Sequence, residues 1–331
     1  MGKGSIDENH PLFSGMTGIQ TSQRYGNASF LESDLVLALG ARFGDRHTGG
    51  ARRLQGRAHL HPRRHRAHPA RQGLRARPRH RLRHQALPAG DAGAGQGAWH
   101  QRTAGAWPAR VAQLRSTLTR REDFDDIPVK APRVYKEIND FFDEDTYFVT
   151  AIGLYQIWGG QHQKAFKPRR YQVCGQAGPL GWEIPAAIGV KKAAPEAQVV
   201  GVVGDYGFQY LVEELAVAAQ YDVPFVLVML NNEYLGLIRQ ASLPYEMNYQ
   251  VDIHFDEYGT DNVKIMEAYG CAGVRVFDPA EIRPSLEWAT KEAARTSRPV
   301  LVEIMIEREA NTPHGLSIDA VREFEPLPTE V

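Results

Sequence analysis

The sequence predicts an α/β protein built on a doubly wound parallel sheet. From about residue 130, short apolar runs rich in Val and Ile alternate with longer segments of helical period. The runs show no alternation of apolar and polar residues, which is typical of strands buried on both faces. A helix-length segment separates each run from the next, so the strands are expected to run parallel. Ligands of such sheets bind beyond the carboxyl ends of the strands.

Twelve segments carry this pattern. Strands are predicted at TYFVTA, YQVCG, AQVVGVVG, PFVLVML, AGVRVF and PVLVEIMI. Helices are predicted at PRVYKEINDFF, YQIWGGQHQKAF, GWEIPAAIGVKKA, FQYLVEELAVAAQ, EYLGLIRQA and PAEIRPSLEWATKEAA. Residues 1–50 also have an α/β pattern, with a helix start at Ser29 before the strand LVLALG, which ends at Gly40 and Arg42.

Composition excludes several classes of protein. The chain has 331 residues, enough for two domains, and its two cysteines are far apart, which argues against a disulfide framework or a cysteine metal site. No run approaches the roughly 18 apolar residues of a membrane span, and the start MGKGSIDENH has no apolar signal region. A cytoplasmic protein without membrane contact is therefore expected.

The formal net charge of zero conceals an uneven distribution. Residues 51–110 contain 14 Arg, no Lys, a single acidic residue (Asp91) and seven of the 12 His. The rest of the chain carries 25 basic and 38 acidic residues, a net charge of −13. Because no helical or strand period of apolar residues runs through the segment, we predict that it is disordered.

Four interpretations of this basic segment are open. It would be a basic arm for nucleic acid or membrane phosphates, a His-rich metal tract, a linker, or the product of a shifted reading frame. Arg, His, Pro and Ala are what GC-rich codons yield out of frame. With permitted codons, residues 61–86 shifted by one nucleotide give TPVDIEPTQHGKVFAPDLGIVSDTK, which has apolar alternation and turn signals. The frame shift accounts for most of the composition, and the nucleotide sequence tests it.

Oxygen-bearing side chains follow two neighbouring predicted strands. Asp205 follows the strand that ends at Gly204, and Asn231 and Asn232 end the next strand. Parallel strands would bring these oxygens to one edge of the sheet, where such ligands suit Mg²⁺. Gly204 and Gly207 would let backbone amides approach an anion at the helix N-terminus. The alternatives are a helix N-cap for Asp205 and a simple turn at the asparagines.

The spacing GDY, then 24 residues, then NN resembles the signature of thiamine-diphosphate enzymes, usually written GDG…NN. Tyr206 stands where the third Gly is usual, a departure that the family tolerates. The resemblance implies that Asp205, Asn232 and the backbone carbonyl of Tyr234 ligate Mg²⁺, which anchors the cofactor diphosphate. The same resemblance implies cofactor contacts at Gly204, Tyr206, Gly207, Leu235 and Gly236.

Two further motifs resemble the same family. The segment VCGQAGPLGWEIPAAIGV, residues 173–190, resembles the part that supports the bent cofactor. This implies that Leu180 wedges between the two rings and that the Gly178 carbonyl accepts from the aminopyrimidine. The segment TAIGLYQIW resembles the loop beside the diphosphate, with Gly153 and Leu154 at the contact. The alternative for GPLGW is a turn before a packed helix.

Within the thiamine-diphosphate-dependent, acetolactate synthase-like superfamily, the closest resemblance is to the glyoxylate carboligase (tartronate-semialdehyde synthase) family. It is carried by MGKGSI, GQAGPLGW, NNEYLGLIRQ and YEMNYQVDI. The family condenses two glyoxylate molecules to tartronate semialdehyde and CO₂, which makes it a carboxy-lyase. An acetolactate synthase-like enzyme acting on pyruvate is the alternative. From another class, the alternative is a non-catalytic protein that binds nucleic acid through its Arg-rich segment.

The resemblance also implies a domain organisation. Residues 1–50 would be a partial middle domain, 51–114 an out-of-frame segment, 115–129 a linker and 130–331 the domain that binds diphosphate and Mg²⁺. The family has a pyrimidine-binding domain before the middle domain. It is expected to be absent here, so the chain alone is expected to be inactive and no catalytic residue is assigned.

The remaining expectations concern FAD and partners. The middle domain of the family binds FAD without redox turnover, and the positions that match its contacts are Gln20, Thr21, Gly40 and Arg42. The expected partners are a small 2-oxo acid and further copies of the chain in a dimer or tetramer. Neither a membrane nor a nucleic acid is expected as a partner of the family.

Overall fold

The computed structural model describes residues 2–39, 41, 43–49, 59–63, 105–175, 177–242 and 260–325. The predicted FAD contacts Gly40 and Arg42, and most of the Arg-rich segment, lie outside these residues. Among the described residues, no helix is both long enough and apolar enough to cross a membrane.

The N-terminal part begins with a helix and a strand. Helix α1 (Arg24–Glu32) precedes strand β1 (Leu35–Leu39). The predicted helix start at Ser29 is wrong, because Ser29 lies inside α1. The extended backbone of Gln23 (φ −85°, ψ 143°) marks the true start. Its side-chain oxygen accepts a hydrogen bond from the Met16 backbone N–H at 2.6 Å.

Two further short elements follow. Helix α2 (Asp45–Thr48) leads towards strand β2 (His59–Arg63), and β2 pairs with β1 in parallel. The predicted disorder of residues 51–114 is therefore wrong for the five residues of β2. Ladder hydrogen bonds to β1 order the β2 backbone although its sequence lacks an apolar period.

Order also resumes earlier than predicted. Helix α3 (Trp107–Leu118) has Pro in its first turn and buries Val111 and Leu114. The predicted boundary at residue 114 is therefore too late, and the predicted linker 115–129 begins inside the helix. Val111 and Leu114 are three residues apart and share one helical face. The high Arg content of the segment concealed this apolar face.

The rest of the described chain folds around a parallel sheet. Its strands are β3 (Tyr147–Thr150), β4 (Tyr171–Val173), β5 (Val199–Gly204), β6 (Val226–Asn231), β7 (Ala272–Val276) and β8 (Val300–Met305). Their spatial order is β4-β3-β5-β6-β8-β7, and every neighbouring pair is parallel. All residues of β5 and β6 are buried, so both faces of the sheet are covered. The predicted α/β class and all six strands are confirmed.

Helices connect these strands. They are α4 (Ala131–Phe141), α5 (Leu154–Gln161), α6 (Glu183–Ala193), α7 (Asp205–Tyr210), α8 (Glu214–Gln220), α9 (Gly236–Ser242), α10 (Asn262–Ala268) and α11 (Pro279–Thr296). A short antiparallel pair, β9 (His314–Gly315) and β10 (Val321–Arg322), lies near the C-terminus.

Two helix predictions need correction, and one further helix was missed. The segment FQYLVEELAVAAQ forms α7 and α8 instead of one helix, because Leu211 (φ −138°, ψ 37°) leaves the helical conformation beside Gly181. The helix predicted from Glu233 begins at Gly236, since Glu233 has a φ of 53°. Helix α10 was not predicted, although the Asp261 carboxylate caps its N-terminus.

Candidate cofactor site

Strands β5 and β6 end side by side and deliver two polar side chains to one edge of the sheet. Residue Gly204 at the end of β5 is paired with Leu230 of β6. Asp205 follows β5 as the first residue of α7, and Asn232 follows β6. Their side chains are buried, with 0% and 1% exposure respectively. The predicted convergence of these two side chains therefore occurs in the fold.

Tyr155 of α5 joins these two side chains. Its hydroxyl oxygen lies 3.2 Å from Asp205 Oδ1 and 3.1 Å from Asn232 Oδ1. A hydroxyl has one proton and donates to one oxygen at a time. A Cβ added at Gly204 would lie 1.9 Å from the Tyr155 ring, so glycine is needed for the ring to cross the strand end. The GLYQIW motif predicted contacts at Gly153 and Leu154 but not at Tyr155, the next residue.

Asp205 has an unusual electrostatic environment. Burial raises the pKa of its carboxyl group to about 7, and the hydrogen bond from Tyr155 partly opposes this shift. Within the described ranges, Asp205 Oδ2 is buried without a hydrogen-bond partner. A buried acceptor without a partner is unfavourable. A cation, or a donor on a ligand, would satisfy this oxygen.

The amide of Asn232 is held in a defined orientation. Its Nδ2 donates to the backbone carbonyl of Arg308 at 3.2 Å. Because nitrogen and oxygen lie on opposite sides of the amide, Asn232 Oδ1 is directed to the side where Tyr155 lies. An oxygen next to the Asp205 carboxylate is the donor type that Mg²⁺ prefers.

The turn after Asn232 contains the third predicted metal ligand, the carbonyl of Tyr234. This carbonyl accepts from the Gly236 backbone N–H at 2.8 Å, and the Tyr234 side chain is 7% exposed. Leu235 is half-buried. A Cβ at Gly236 would lie 2.4 Å from Leu154 Cδ1, so this glycine permits the approach of α5.

Of the remaining predicted contacts, Tyr206 and Gly207 lie in α7, and Gly153, Gly178 and Leu180 lie in loops that follow β3 or precede α6. Gly153 caps α5 with a φ of 107°, and Gly178 has a φ of 62°, conformations that favour glycine. Leu180 is half-buried. Trp182 Nε1 donates to the carbonyl of Thr150 at 3.2 Å, which ties this loop to the end of β3. The assigned roles of these residues stay predictions.

Glu183, in the first turn of α6, was not predicted as a site residue. Its side chain is fully buried, and burial raises its pKa to about 7 although the backbone amides of Glu183 and Gly181 lower it in part. Neither carboxylate oxygen makes a hydrogen bond of normal geometry to a described residue. A Cβ at Gly207 would lie 2.6 Å from Glu183 Oε1. An acid within the apolar GWEIPAAIG segment was the available signal.

Two predicted FAD contacts are used for packing. The Gln20 carbonyl accepts a hydrogen bond from Gln161 Nε2 in α5. A Cβ added at Gly160 would lie 2.5 Å from Thr21 Cβ, so the Thr21 backbone and side chain press against α5. These contacts attach the N-terminal part of the chain to the helix that carries Tyr155.

Two protein-family models match the chain and define the class of protein to which it belongs. The model for the C-terminal binding domain of thiamine pyrophosphate enzymes matches residues 151–304, and the model for their central domain matches residues 1–71. The first match contains the GDY and NN motifs, the segment 173–190, and TAIGLYQIW from its second residue onward. The chain belongs to the thiamine pyrophosphate enzymes. The central-domain match extends beyond the predicted boundary at residue 50.

Within this class of enzymes, the chain is similar to individual relatives of two kinds. A glyoxylate carboligase from Escherichia coli O157:H7 is 42% identical over 99% of this chain and 57% of the relative. A probable acetolactate synthase large subunit from Methanocaldococcus jannaschii is 32% identical over 93% of this chain and 52% of the relative. The mitochondrial acetolactate synthase catalytic subunit of Saccharomyces cerevisiae is 29% identical over 93% of this chain and 45% of the relative. The chain spans about half the length of the curated relatives it matches.

Proposed function

We propose that this site binds the diphosphate end of thiamine diphosphate through Mg²⁺, in an enzyme that condenses two glyoxylate molecules to tartronate semialdehyde and CO₂. The observation that carries the proposal is the meeting of Asp205 and Asn232 oxygens at one sheet edge, with Asp205 Oδ2 unpaired among described residues. The 42% identity to a glyoxylate carboligase supports the choice of substrate.

The residues present fit a magnesium diphosphate. A carboxylate, an amide oxygen and a backbone carbonyl are hard oxygen donors, and Mg²⁺ combines a few such ligands with phosphate oxygens. Asp205, Asn232 and Tyr234 would supply them. The bound cofactor would provide an electron sink for decarboxylation of a 2-oxo acid. The N-terminus of α7, with Gly207 in its first turn, presents backbone amides suited to an anion.

The chain itself would position the metal ligands and exclude water from the bound cofactor. Tyr155 holds the Asp205 and Asn232 oxygens together, and the backbone carbonyl of Arg308 orients the amide of Asn232. Leu154, which lies against Gly236, is an apolar side chain at this edge, placed to keep water from a bound cofactor. Leu180 would do the same from the loop before α6, where the family resemblance places it against the cofactor.

Pyruvate is the substrate of the second candidate function. Relatives called acetolactate synthase match at 32% identity and lower, over 93% of the chain for the first of them. We favour glyoxylate because the identity to glyoxylate carboligase is ten percentage points higher.

FAD, a homo-oligomeric state and a cytoplasmic location are further parts of the proposal. Gln20 and Thr21 are the described residues on which FAD binding depends, and a flavin absorbance band in the purified protein tests it. The nucleic-acid alternative depends on the Arg-rich segment. It predicts DNA binding that weakens steeply with salt.

Calorimetric titration of the purified chain tests the metal site. Thiamine diphosphate should bind in the presence of Mg²⁺ and not after chelation. Asp205→Asn should weaken binding by about 100-fold, the upper end of the loss seen when the surroundings of a metal are disturbed. Asp222→Asn is the control, because Asp222 is exposed and its φ of 49° suits asparagine. Binding that is independent of Mg²⁺, or equal in both variants, would contradict the proposed site.

The substrate is tested separately by CO₂ release. Because the chain alone is expected to be inactive, the assay is made on the intact homologous enzyme, which should release CO₂ from glyoxylate faster than from pyruvate at equal concentration. The opposite order would favour the acetolactate synthase-like function while leaving the metal site intact.

A further inference from the structure

Glu303 is a carboxylate buried inside the sheet, away from the predicted cofactor contacts. It lies in β8 with 0% exposure. Three side chains donate to it: Asn231 Nδ2 at 2.8 Å and Asn262 Nδ2 at 2.7 Å to Oε1, and Arg275 Nε at 2.7 Å to Oε2. A buried carboxylate is unfavourable unless such donors surround it. An apolar residue would suit the strand better if burial were its single role.

The first of these donors leads to the predicted metal ligands. Asn231 donates to Glu303 through Nδ2, and its Oδ1 accepts from the Glu233 backbone N–H at 2.9 Å. The amide is therefore held at both ends. Glu233 has a φ of 53°, a conformation that needs support in a residue other than glycine. We call residues 231–236 the metal loop, because Asn232 and the Tyr234 carbonyl lie within it.

The other donors connect the same carboxylate to two helices. Arg275 also donates to Asp261 Oδ1 at 2.9 Å, and Asp261 caps α10. Asn262 Oδ1 accepts from Gln209 Nε2 at 2.6 Å. Gln209 lies in α7, the helix that begins at Asp205. One carboxylate thus contacts, directly or through one residue, both sides of the predicted metal site.

We propose that Glu303 is a positioning residue for the metal loop, acting through the Asn231 side chain. It holds the Asn231 amide so that Oδ1 supports the Glu233 turn, and the turn presents Asn232 and the Tyr234 carbonyl. The inference rests on the proposed function in one respect, namely that this loop ligates Mg²⁺.

An exchange of donor and acceptor tests the proposal. Glu303→Gln places an amide against the Asn231 amide, and Asn231→Asp places a carboxylate against Glu303. The double variant Asn231→Asp/Glu303→Gln restores one donor and one acceptor at the Asn231 contact and keeps an acceptor for the Glu233 N–H. Asn262 Nδ2, which shares Oε1 in the wild type, faces the new amide in this variant as it does in Glu303→Gln. Glu307→Gln is the control, since Glu307 follows the same strand and pairs with Lys130 near the surface.

Two measurements are made on the full chain, with metal-free thermal unfolding as a check of folding. Hydrogen–deuterium exchange of the metal loop reports the Glu233 N–H without any ligand. Mg²⁺-dependent thiamine diphosphate titration reports the ligands. Each single variant should speed exchange by about 10-fold, equivalent to one lost hydrogen bond, and weaken binding by about 10-fold. The double variant should recover both by about 3-fold or more relative to Glu303→Gln, which a general loss of packing would not allow.

Exchange that stays unchanged in both single variants would overturn the proposal. A double variant no better than the weaker single variant would overturn it as well. A wild-type chain that binds no cofactor with Mg²⁺ would instead contradict the proposed function. In that case the exchange measurements still decide whether Glu303 positions the loop.

Discussion

Two regions on either side of β6 differ in how their buried carboxylates are hydrogen-bonded. On the β8 side, Glu303 accepts from three donors. On the β5 side, Asp205 Oδ2 and both Glu183 oxygens have no hydrogen-bond partner in the part of the chain that the structure describes. Burial raises the pKa of both unpaired groups to about 7. Glu303, with its acceptors satisfied, belongs to the framework of the fold, whereas the unpaired Asp205 Oδ2 lies where Mg²⁺ is proposed to bind.

The largest effect is expected on the satisfied side. Glu303→Leu would leave the donors of Asn231, Asn262 and Arg275 without their acceptor inside the sheet. The free energy of unfolding should fall by about 4 kcal/mol, as when one partner of a buried charge pair is removed. Urea unfolding monitored by circular dichroism measures this. Glu307→Gln, with a partly exposed pair, should lose less than about 1 kcal/mol. Equal losses would show that the Glu303 network is not a framework.

The next largest effect is expected on the pH dependence of stability, through the unpaired carboxyl group of Glu183. The pKa of Glu183 is about 7 in the folded chain and 4.5 in the unfolded reference. Between these values the folded state keeps a proton that the unfolded state has released. The stability of the wild type therefore falls as pH rises through this window, by on the order of 3 kcal/mol in total.

Glu183→Gln removes this dependence. The stability of the variant relative to the wild type should rise by on the order of 3 kcal/mol from about pH 4 to about pH 8. Asp205 titrates in both proteins, so its contribution cancels in the difference. Urea unfolding at several pH values provides the measurement. A difference that does not change with pH would mean that Glu183 is stabilised by a group that compensates its burial.

The sequence alone predicted those features of the fold and of the site that depend on local pattern. Runs of Val and Ile identified the six strands, and strand ends identified Asp205 and Asn232 as neighbours. Tyr155, Glu183 and Glu303 were missed because their partners are distant in the chain. The Tyr155 contact with Asn232, for example, spans 77 residues. Such contacts follow from tertiary packing, which no local period encodes.

The predicted helix boundaries were wrong for a related reason. Glu233 is a good helix former by propensity, yet its φ of 53° places it in the metal loop. The side chain of Asn231 and the fold around it select that conformation. Helix α3 was missed because Arg-rich composition concealed the apolar face formed by Val111 and Leu114. In both cases tertiary packing, and not local composition, determined the backbone conformation.

A smaller effect on stability is expected at the backbone of Gly204, the residue before Asp205. Gly204→Ala would place a methyl group 1.9 Å from the Tyr155 ring, far closer than the sum of the two van der Waals radii. Overpacking of this kind should destabilise the fold by about 2 kcal/mol. Gly189→Ala is the matched control, because this exposed helical glycine has no described atom within 4 Å of the added Cβ. It should stabilise the chain by up to about 1 kcal/mol.

Both variants are compared by thermal unfolding. If Gly204→Ala also stabilises the chain, Tyr155 is free to move and does not join the two sides of the site. If Gly204→Ala/Tyr155→Ala is less affected than the sum of its single variants, the clash with the ring is the cause.

The smallest effect is expected from the hydroxyl that links Asp205 to Asn232. Tyr155→Phe removes one buried hydrogen bond, worth about 1 kcal/mol, and leaves the ring against Gly204. Because this hydrogen bond lowers the pKa of Asp205, its loss should raise that pKa further above its ordinary value of 3.8. The variant should therefore lose stability relative to the wild type as pH rises above about 7, where the wild-type carboxyl is already ionised. Tyr210→Phe, at a tyrosine that is 61% exposed, is the control. If Tyr155→Phe behaves like this control at every pH, the hydroxyl contributes no hydrogen bond to the carboxylate, and Asp205 is oriented by the backbone of α7 alone.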